Sequence, residues 1–167
     1  GDIRQFLRVT LAELGCASAI DAIVLAAAGL KRLGLASRIR AVFEPDTMIP
    51  AAGQGALGIE VREDAIELRA LLAQTIHRPT FLAAHAERAV SRALGGSCSM
   101  PLAAHAVWHG DTLHLRAALG DSVDVRRPLL HTAVNGAPTD EASARRLGEQ
   151  AAAQLRAAGA GAYLQAA

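Results

Sequence analysis

Two alternating segments joined by a two-residue connection decide the fold of this chain, and they read Leu102-Ala103-Ala104-His105-Ala106-Val107-Trp108-His109-Gly110-Asp111-Thr112-Leu113-His114-Leu115-Arg116-Ala117-Ala118-Leu119. The segments 102–109 and 112–119 both alternate in the way that half-buried strands do. The connection Gly110-Asp111 is typical of a tight turn between antiparallel strands. The sequence therefore predicts a β-hairpin here.

The segments that flank the hairpin complete a small module. Before it, Thr80 is a suitable N-cap for a helix through Leu94 that carries apolar residues along one side. After it, a third strand is predicted near Val125–Ala133, and Pro128 favours an edge position or a bulge. Acidic residues then open an Ala-rich helix that runs from Thr139 to Gly159. We expect an α+β module with a three-stranded antiparallel sheet and helices.

Two strands and one helix are predicted upstream of this module. The continuous apolar run Asp21–Gly29 is typical of a strand buried on both faces of a parallel sheet. Glu44–Gly58 has the composition of a loop or hinge. Leu57–Arg62 then alternates like a strand, and Asp64–Thr75 has the apolar spacing of an amphipathic helix. His77-Arg78-Pro79 breaks this pattern, so we place a domain boundary there. The basic segment between the first run and the hinge, Leu30–Arg40, is predicted to be a short helix or irregular.

Composition excludes several classes of protein. The 167 residues carry a net charge of +1, which gives no general reason to expect nucleic acid or an anionic membrane as a partner. The apolar run Ile20–Leu30 is too short to span a bilayer. Cys16 and Cys98 are too few for a disulfide framework, which favours a cytoplasmic location. Aromatic residues make up 3%, so the core must consist of Ala, Leu, Val and Ile. Without an initial Met, the chain is expected to be truncated or processed.

Cys98 is the candidate chemical group. It lies between Gly95-Gly96-Ser97 and Pro101, just past the predicted helix, where small residues leave space beside the sulfur. Arg88 and Arg92 on that helix would favour the thiolate, which is the nucleophilic form of a cysteine. The sequence therefore predicts an accessible, reactive thiol.

The surroundings of Cys98 resemble the cofactor-attachment signature of the porphobilinogen deaminase (hydroxymethylbilane synthase) family. The matching residues are Glu87-Arg88, Val90, Leu94, Gly96-Ser97-Cys98, Pro101, Leu102 and Ala103. Met100 stands where the family usually has a β-branched residue. The resemblance implies that Cys98 carries a dipyrromethane cofactor through a thioether bond.

Two further segments are similar to the same family. Asp21–Leu35 resembles a strand and turn of the family's second domain, which implies that Arg32 holds the acetate and propionate groups of the pyrrole chain. It also implies that Gly29 allows the backbone to approach a ring closely. Pro50–Glu60 resembles the crossing back to the first domain, which implies that Gln54 and Gly55 line the cofactor cleft.

The resemblance also implies an α/β architecture and a division into domains. Residues 1–54 would form the back half of a periplasmic-binding-protein-like second domain and a hinge. Residues 55–76 would supply a strand and a helix to the first domain, and residues 77–167 would form the cofactor-anchoring α+β domain. The family joins four porphobilinogen units into hydroxymethylbilane and releases ammonia, in tetrapyrrole (heme) biosynthesis.

Only the C-terminal half of the family is covered by the resemblance. The missing N-terminal half includes the aspartate that handles protons, so the chain alone is expected not to polymerise porphobilinogen. The complete protein is expected to be a monomer. Residues 1–19 diverge from the family, and no cofactor-binding role is assigned to Arg4 or Arg8.

Two alternatives remain open. One is a non-catalytic remnant that keeps only the cofactor-anchoring part. The other is an unrelated thiol enzyme in which His85 or His105 acts as the base for Cys98. No metal site is expected, because the histidines of the predicted sheet lack a Cys or carboxylate to complete a ligand set. They are His105, His109, His114 and His131.

Overall fold

A computed structural model describes residues 23–96, 100–124 and 126–164. Five helices and three strands are described: α1 Ala27–Arg32, α2 Ile66–Ala73, α3 Arg78–Ala93, β1 Leu102–His109, β2 Thr112–Leu119, β3 Leu130–Gly136, α4 Glu141–Ala157 and α5 Gly161–Leu164. A short 3-10 turn, Ala36–Arg38, follows α1. The chain divides into two compact units, one ending at Phe43 and the other beginning at Glu44.

The first unit contains α1 and the 3-10 turn. The predicted buried strand Asp21–Gly29 is wrong over the part of it that is described, residues 23–29. Ile23 and Val24 are 46% and 63% exposed and belong to no strand, and α1 begins at Ala27. A strand needs a neighbour for its backbone groups, and the described residues of this unit offer none. The consecutive alanines, which have high intrinsic helix propensity, start a helix instead.

A three-stranded antiparallel sheet in the order β1-β2-β3 forms the centre of the second unit. The predicted hairpin is confirmed, because β1 and β2 pair from Leu102↔Leu119 to His109↔Thr112. β3 lies at the edge, as predicted, but begins at Leu130 rather than Val125. Pro128 therefore precedes the strand and does not lie within it, which suits a residue without an amide proton.

Helices α3 and α4 pack against one face of the sheet. Every second residue of β2 points to this core, and Leu113, Leu115 and Leu119 are fully buried. The core is built mainly from Ala, Leu and Val, as the composition predicted, but it also contains the buried aromatic side chain of Tyr163. The helices contribute Leu82, Ala86, Val90, Leu147, Ala151 and Leu155.

The helix starts differ in how well the sequence predicted them. α3 begins at Arg78 with Pro79 in its first turn, so the predicted N-cap Thr80 is wrong. Proline suits the first turn because its missing amide proton would have no partner there. The start of α4 is confirmed: Asp140 is its N-cap and forms a reciprocal capping box with Ser143. The short helix α5 was not predicted.

The segment that leads from Glu44 to α3 contains one helix. α2 confirms the predicted helix. The predicted strand Leu57–Arg62 is wrong in the structure, since these residues belong to no described strand and Leu57 is 88% exposed. Ile66 and Leu71 on α2 are also exposed. The division into domains at residues 54 and 76 stays a prediction.

Candidate functional site

The residues on both sides of Cys98 are fixed by hydrogen bonds. On the N-terminal side, the Gly96 amide donates to the Ser91 carbonyl oxygen at 2.8 Å. On the C-terminal side, the Gly120 amide donates to the Pro101 carbonyl oxygen, also at 2.8 Å. The predicted anchor Cys98 lies outside the described residues, as does Cys16. The segment 97–99 thus connects the end of α3 to the start of β1, and both of these ends belong to the packed module.

Arg88 and Arg92 are exposed on α3, the helix that leads to this segment. Arg92 lies in its last turn, where a cation is favoured by the helix dipole. The Arg156 guanidinium of α4 donates to the Ala93 carbonyl oxygen at the end of the same helix. Arg88, Arg92 and Arg156 therefore place three guanidinium groups at the C-terminal half of the helix that precedes Cys98.

Gln54 lies between two successive turns. The Gln54 amide donates to the Ala51 carbonyl oxygen at 3.0 Å, and the Ala56 amide donates to that of Gly53 at 3.1 Å. Gly53 and Gly55 occupy the third position of these turns with φ of +75° and +86°. A positive φ at that position is the mark of a type II turn and favours glycine. The backbone thus favours the two glycines of the Gly-Gln-Gly pattern, and the exposed Gln54 side chain lies between the turns.

Glu87 is the residue that joins these turns to the module. Its side chain on α3 is only 6% exposed. Oε2 accepts a hydrogen bond of 2.7 Å from the Gly53 amide, and Oε1 accepts one of 2.7 Å from the Ala106 amide of β1. His105 Nδ1 lies 3.5 Å from Oε1. A buried carboxylate is tolerated when it is paired in this way.

A second contact attaches the same loop to β1. The Ala104 amide donates to the Pro50 carbonyl oxygen at 3.0 Å, and Ala52 packs against the core. Ala104 and Ala106 are two residues apart, so their amides point to the same side of the strand. The free edge of β1 is therefore covered by Pro50 and by the Glu87 carboxylate.

A groove of about 880 Å³ lies on the sheet face opposite the helices, and Met100 and Pro101 form part of its lining. Met48, Met100 and Leu129 give it apolar walls, and Arg116 and His131 line it with polar groups. Asp46 forms an ion pair with Arg116 across this face. The groove thus combines an apolar surface with the Arg116 guanidinium and the His131 ring.

Gly29 and Arg32 lie together on α1 in the first unit. They are three residues apart, which places them on neighbouring positions of one helix face. Gly29 is half-buried, and Arg32 is exposed in the last turn. The exposed guanidinium is available to a carboxylate ligand. In the second unit, the structure brings Gln54 and Gly55 together with Glu87.

The histidines fall into two groups. His105, His109, His114 and His131 share the open sheet face, and the His109 and His114 rings meet edge to face with centroids 4.6 Å apart. Across residues 23–96, 100–124 and 126–164, no three His, Cys, Asp or Glu side chains are arranged to hold a metal ion. His85 lies between α3 and α4, where its Nδ1 is 3.3 Å from Glu141 Oε1. Burial lowers the pKa of His85. The negative charge of Glu141 acts in the opposite direction, and the positive charges of nearby arginines lower the pKa further: Arg88, Arg92 and Arg145.

The structural role of Glu87 was not predicted from the sequence. Glu87-Arg88 matched a family signature, but the contacts of Glu87 with Gly53 and Ala106 join segments that are far apart in the chain. The available signal was an acidic residue next to the apolar positions Ala86 and Val90 of an amphipathic helix. Separately, none of the helices in the described part has both the length and the apolar character needed to cross a bilayer.

Comparison with known proteins identifies the family. Residues 2–70 match the family model "Porphobilinogen deaminase, dipyromethane cofactor binding domain". Residues 81–157 match the model "Porphobilinogen deaminase, C-terminal domain". The second match covers α3 from Phe81 onward, the whole sheet and α4, and together the two matches cover most of the chain.

Curated relatives agree with the family models. The chain is 60% identical to the porphobilinogen deaminase of Albidiferax ferrireducens over 137 residues, which is 82% of this chain and 43% of that protein. It is 56% identical to that of Ralstonia nicotianae over 140 residues, 83% of this chain and 41% of the relative. The porphobilinogen deaminase of Paraburkholderia phytofirmans is 52% identical over 139 residues, which is 83% of this chain and 40% of that protein. The chain spans about two-fifths of the length of these relatives and belongs to the porphobilinogen deaminase family.

Proposed function

We propose that the complete protein containing this chain is a transferase that joins porphobilinogen units in tetrapyrrole biosynthesis, and that this chain supplies its cofactor anchor. Family membership supports the proposal, and one structural observation carries it. The Gly53–Gly55 turns are fixed to α3 through Glu87, and α3 leads directly to Cys98. A polar side chain suited to a pyrrole ligand is therefore held by the same helix that ends beside the anchor.

The residues present fit a dipyrromethane with carboxylate substituents. Gln54 is exposed and can both donate and accept hydrogen bonds. A Cβ added at Gly55 would meet open space, so a ring has room beside that turn. Arg32 is exposed and can bind a carboxylate at two points. When bound, the cofactor supplies the ring carbon to which substrate units are added.

Each residue then has a distinct task. Cys98 holds the cofactor by a covalent bond, so that the growing product stays with the protein. Arg32 pairs with carboxylate groups and orients the chain of rings, which lowers the entropic barrier to reaction. Gln54 holds a ring or its substituents through hydrogen bonds. Proton transfer at the pyrrole nitrogens is assigned to the part of the protein that this chain does not include.

The proposed partners follow from the same assignment. The substrate is porphobilinogen, and the further partner is the N-terminal half of the same protein. Residues 55–76 are proposed to contribute to the first domain there, which is consistent with the exposed apolar side chains of Leu57, Ile66 and Leu71. We propose a cytoplasmic monomer for the complete protein.

Intact mass spectrometry of the complete protein tests the proposal. The wild type is expected to carry an added mass of two pyrrole units, and Cys98→Ser is expected to lack it. Cys16→Ser is the matched control, because it removes the other cysteine and should keep the adduct. An unmodified Cys98 that reacts with an alkylating agent would contradict the proposal. So would an adduct that persists in Cys98→Ser.

A further inference from the structure

Glu87 makes more contacts than packing of α3 requires. An apolar side chain would fill its place without the cost of burying a charge. The carboxylate instead accepts hydrogen bonds from two backbone amides that are 53 positions apart in the sequence, Gly53 and Ala106. Each bond is 2.7 Å long, which is short for a nitrogen donor and typical of charge-assisted bonds.

The two amides belong to segments with different tasks. Ala106 lies in β1, which is part of the packed sheet and is buried. Gly53 is half-buried in the loop, immediately before the exposed Gln54. Because one carboxylate holds both amides, the position of Gly53 is set by the sheet and by α3. The bond between the Ala104 amide and the Pro50 carbonyl oxygen holds the loop three residues earlier.

Gln54 itself adds little to the stability of the loop. Its side chain is exposed and makes no side-chain hydrogen bond within the described residues. The type II turns on either side depend on the backbone of Gly53 and Gly55. The loop thus keeps Gln54 at a fixed place while leaving its amide group available to a ligand.

We propose that Glu87 is a positioning residue that acts through Gln54. Its carboxylate holds the Gly53 amide against β1 and so sets where the Gln54 side chain meets the pyrrole ligand. This inference rests on the proposed function for the role of Gln54. The hydrogen-bonding role of Glu87 can be measured without any activity.

Hydrogen exchange of the complete protein tests the contact itself. Glu87→Gln keeps the shape of the side chain, but its amide nitrogen cannot accept a hydrogen bond, so one of the two backbone amides loses its partner. Exchange in peptides covering 50–58 or 102–109 is expected to rise about tenfold or more, while exchange in β2 stays unchanged. Glu149→Gln, an exposed glutamate on α4, is the matched control and should change neither segment.

A double-mutant cycle tests whether Glu87 acts through Gln54. Glu87→Gln is expected to lower kcat/KM for porphobilinogen about tenfold, with the cofactor adduct retained by mass. In a Gln54→Ala background the same substitution should cost little more, because the side chain it positions is gone. If the fold-losses in kcat/KM of Glu87→Gln and Gln54→Ala simply multiply in the double variant, the inference is overturned. Unchanged kinetics in Glu87→Gln would also overturn it.

A structural role alone gives a different result. If Glu87 only stabilises the module, exchange would rise equally in residues 50–58 and in β2, and this outcome would overturn the inference. Glu87→Asp keeps the charge but is shorter, and it should release one amide while the module stays folded. The Glu87→Asp variant therefore replaces Glu87→Gln in the same measurements if Glu87→Gln fails to fold. A wild type without an adduct would contradict the proposed function, and the exchange measurement would still decide whether Glu87 holds the turn.

Discussion

The guanidinium carbon of Arg127 lies 3.9 Å from the centre of the Tyr163 ring. The same guanidinium donates to Asp121 Oδ2 and to the Ala162 carbonyl oxygen, each at 3.1 Å. Tyr163 in turn donates its hydroxyl proton to the Pro128 carbonyl oxygen at 2.8 Å. These contacts fasten the connection between β2 and β3 to the short helix α5.

We expect Arg127→Ala to release α5 from this connection, because the substitution removes the cation–π contact and two hydrogen bonds together. Hydrogen exchange should rise in residues 159–164, and Tm should fall by a few degrees. Arg126→Ala is the control, since the Arg126 side chain is exposed and the bond to Asp124 comes from its backbone amide, which the substitution keeps. Equal Tm values for the two variants would refute this role.

His85 should make stability depend on pH near neutrality. Burial lowers its pKa from 6.5, so the folded state favours the neutral ring more than the unfolded state does. Stability from this group is therefore fully present above pH 6.5 and is lost as the pH falls from there through the lower pKa of the folded state. Urea unfolding at a series of pH values should show the decline, and His85→Gln should flatten it. His131→Gln, on the open sheet face, should keep the wild-type slope.

The fully buried Leu115 should be among the most sensitive positions of the sheet. Leu115→Ala leaves a cavity between β2 and the helices, and we expect it to lower the free energy of unfolding by about 2–5 kcal/mol. In the 167-residue chain alone, without the N-terminal half, Leu57→Ala makes the same chemical change at a side chain that is 88% exposed and should cost less than about 0.5 kcal/mol. Chemical denaturation measures both, and similar losses would contradict the burial of Leu115.

Arg32 is expected to act through carboxylate binding. In the complete protein, Arg32→Ala should raise KM for porphobilinogen about tenfold or more, because two charge-assisted hydrogen bonds are lost. Arg32→Lys should give an intermediate value, since an ammonium group cannot make the two-point contact. Arg38→Ala removes a nearby exposed guanidinium and should leave KM unchanged. If Arg38→Ala has the same effect, the proposed pairing is a general effect of charge.

Local patterns predicted the second unit well. Alternation and the two-residue Gly110-Asp111 connection were enough to define β1 and β2, because a hairpin is made from neighbouring residues. The start of α4 was also predictable, since its capping box lies within four consecutive residues. Pro79 misled the prediction for α3, because the same residue both ends one segment and suits the first turn of the next helix.

The predictions that were wrong or incomplete share a physical cause. The segments 23–29 and 57–62 have strand-like composition, but a strand also needs a neighbour, which the residues themselves do not encode. The role of Glu87 depends on amides 34 positions before it and 19 after it, so no local pattern indicates it. Gly53 and Gly55 were visible as a loop pattern, yet their turn type became clear only from the backbone angles.

Because the outer edge of β1 is covered, a further strand can be added to the sheet only at its other edge. Pro50 and Glu87 already occupy the outward amides of Ala104 and Ala106, so an incoming strand from another chain finds no free donors at those positions. The opposite edge, β3, pairs with β2 on one side only. Self-association by strand addition would therefore proceed through β3, and the β1 edge would stay protected from it.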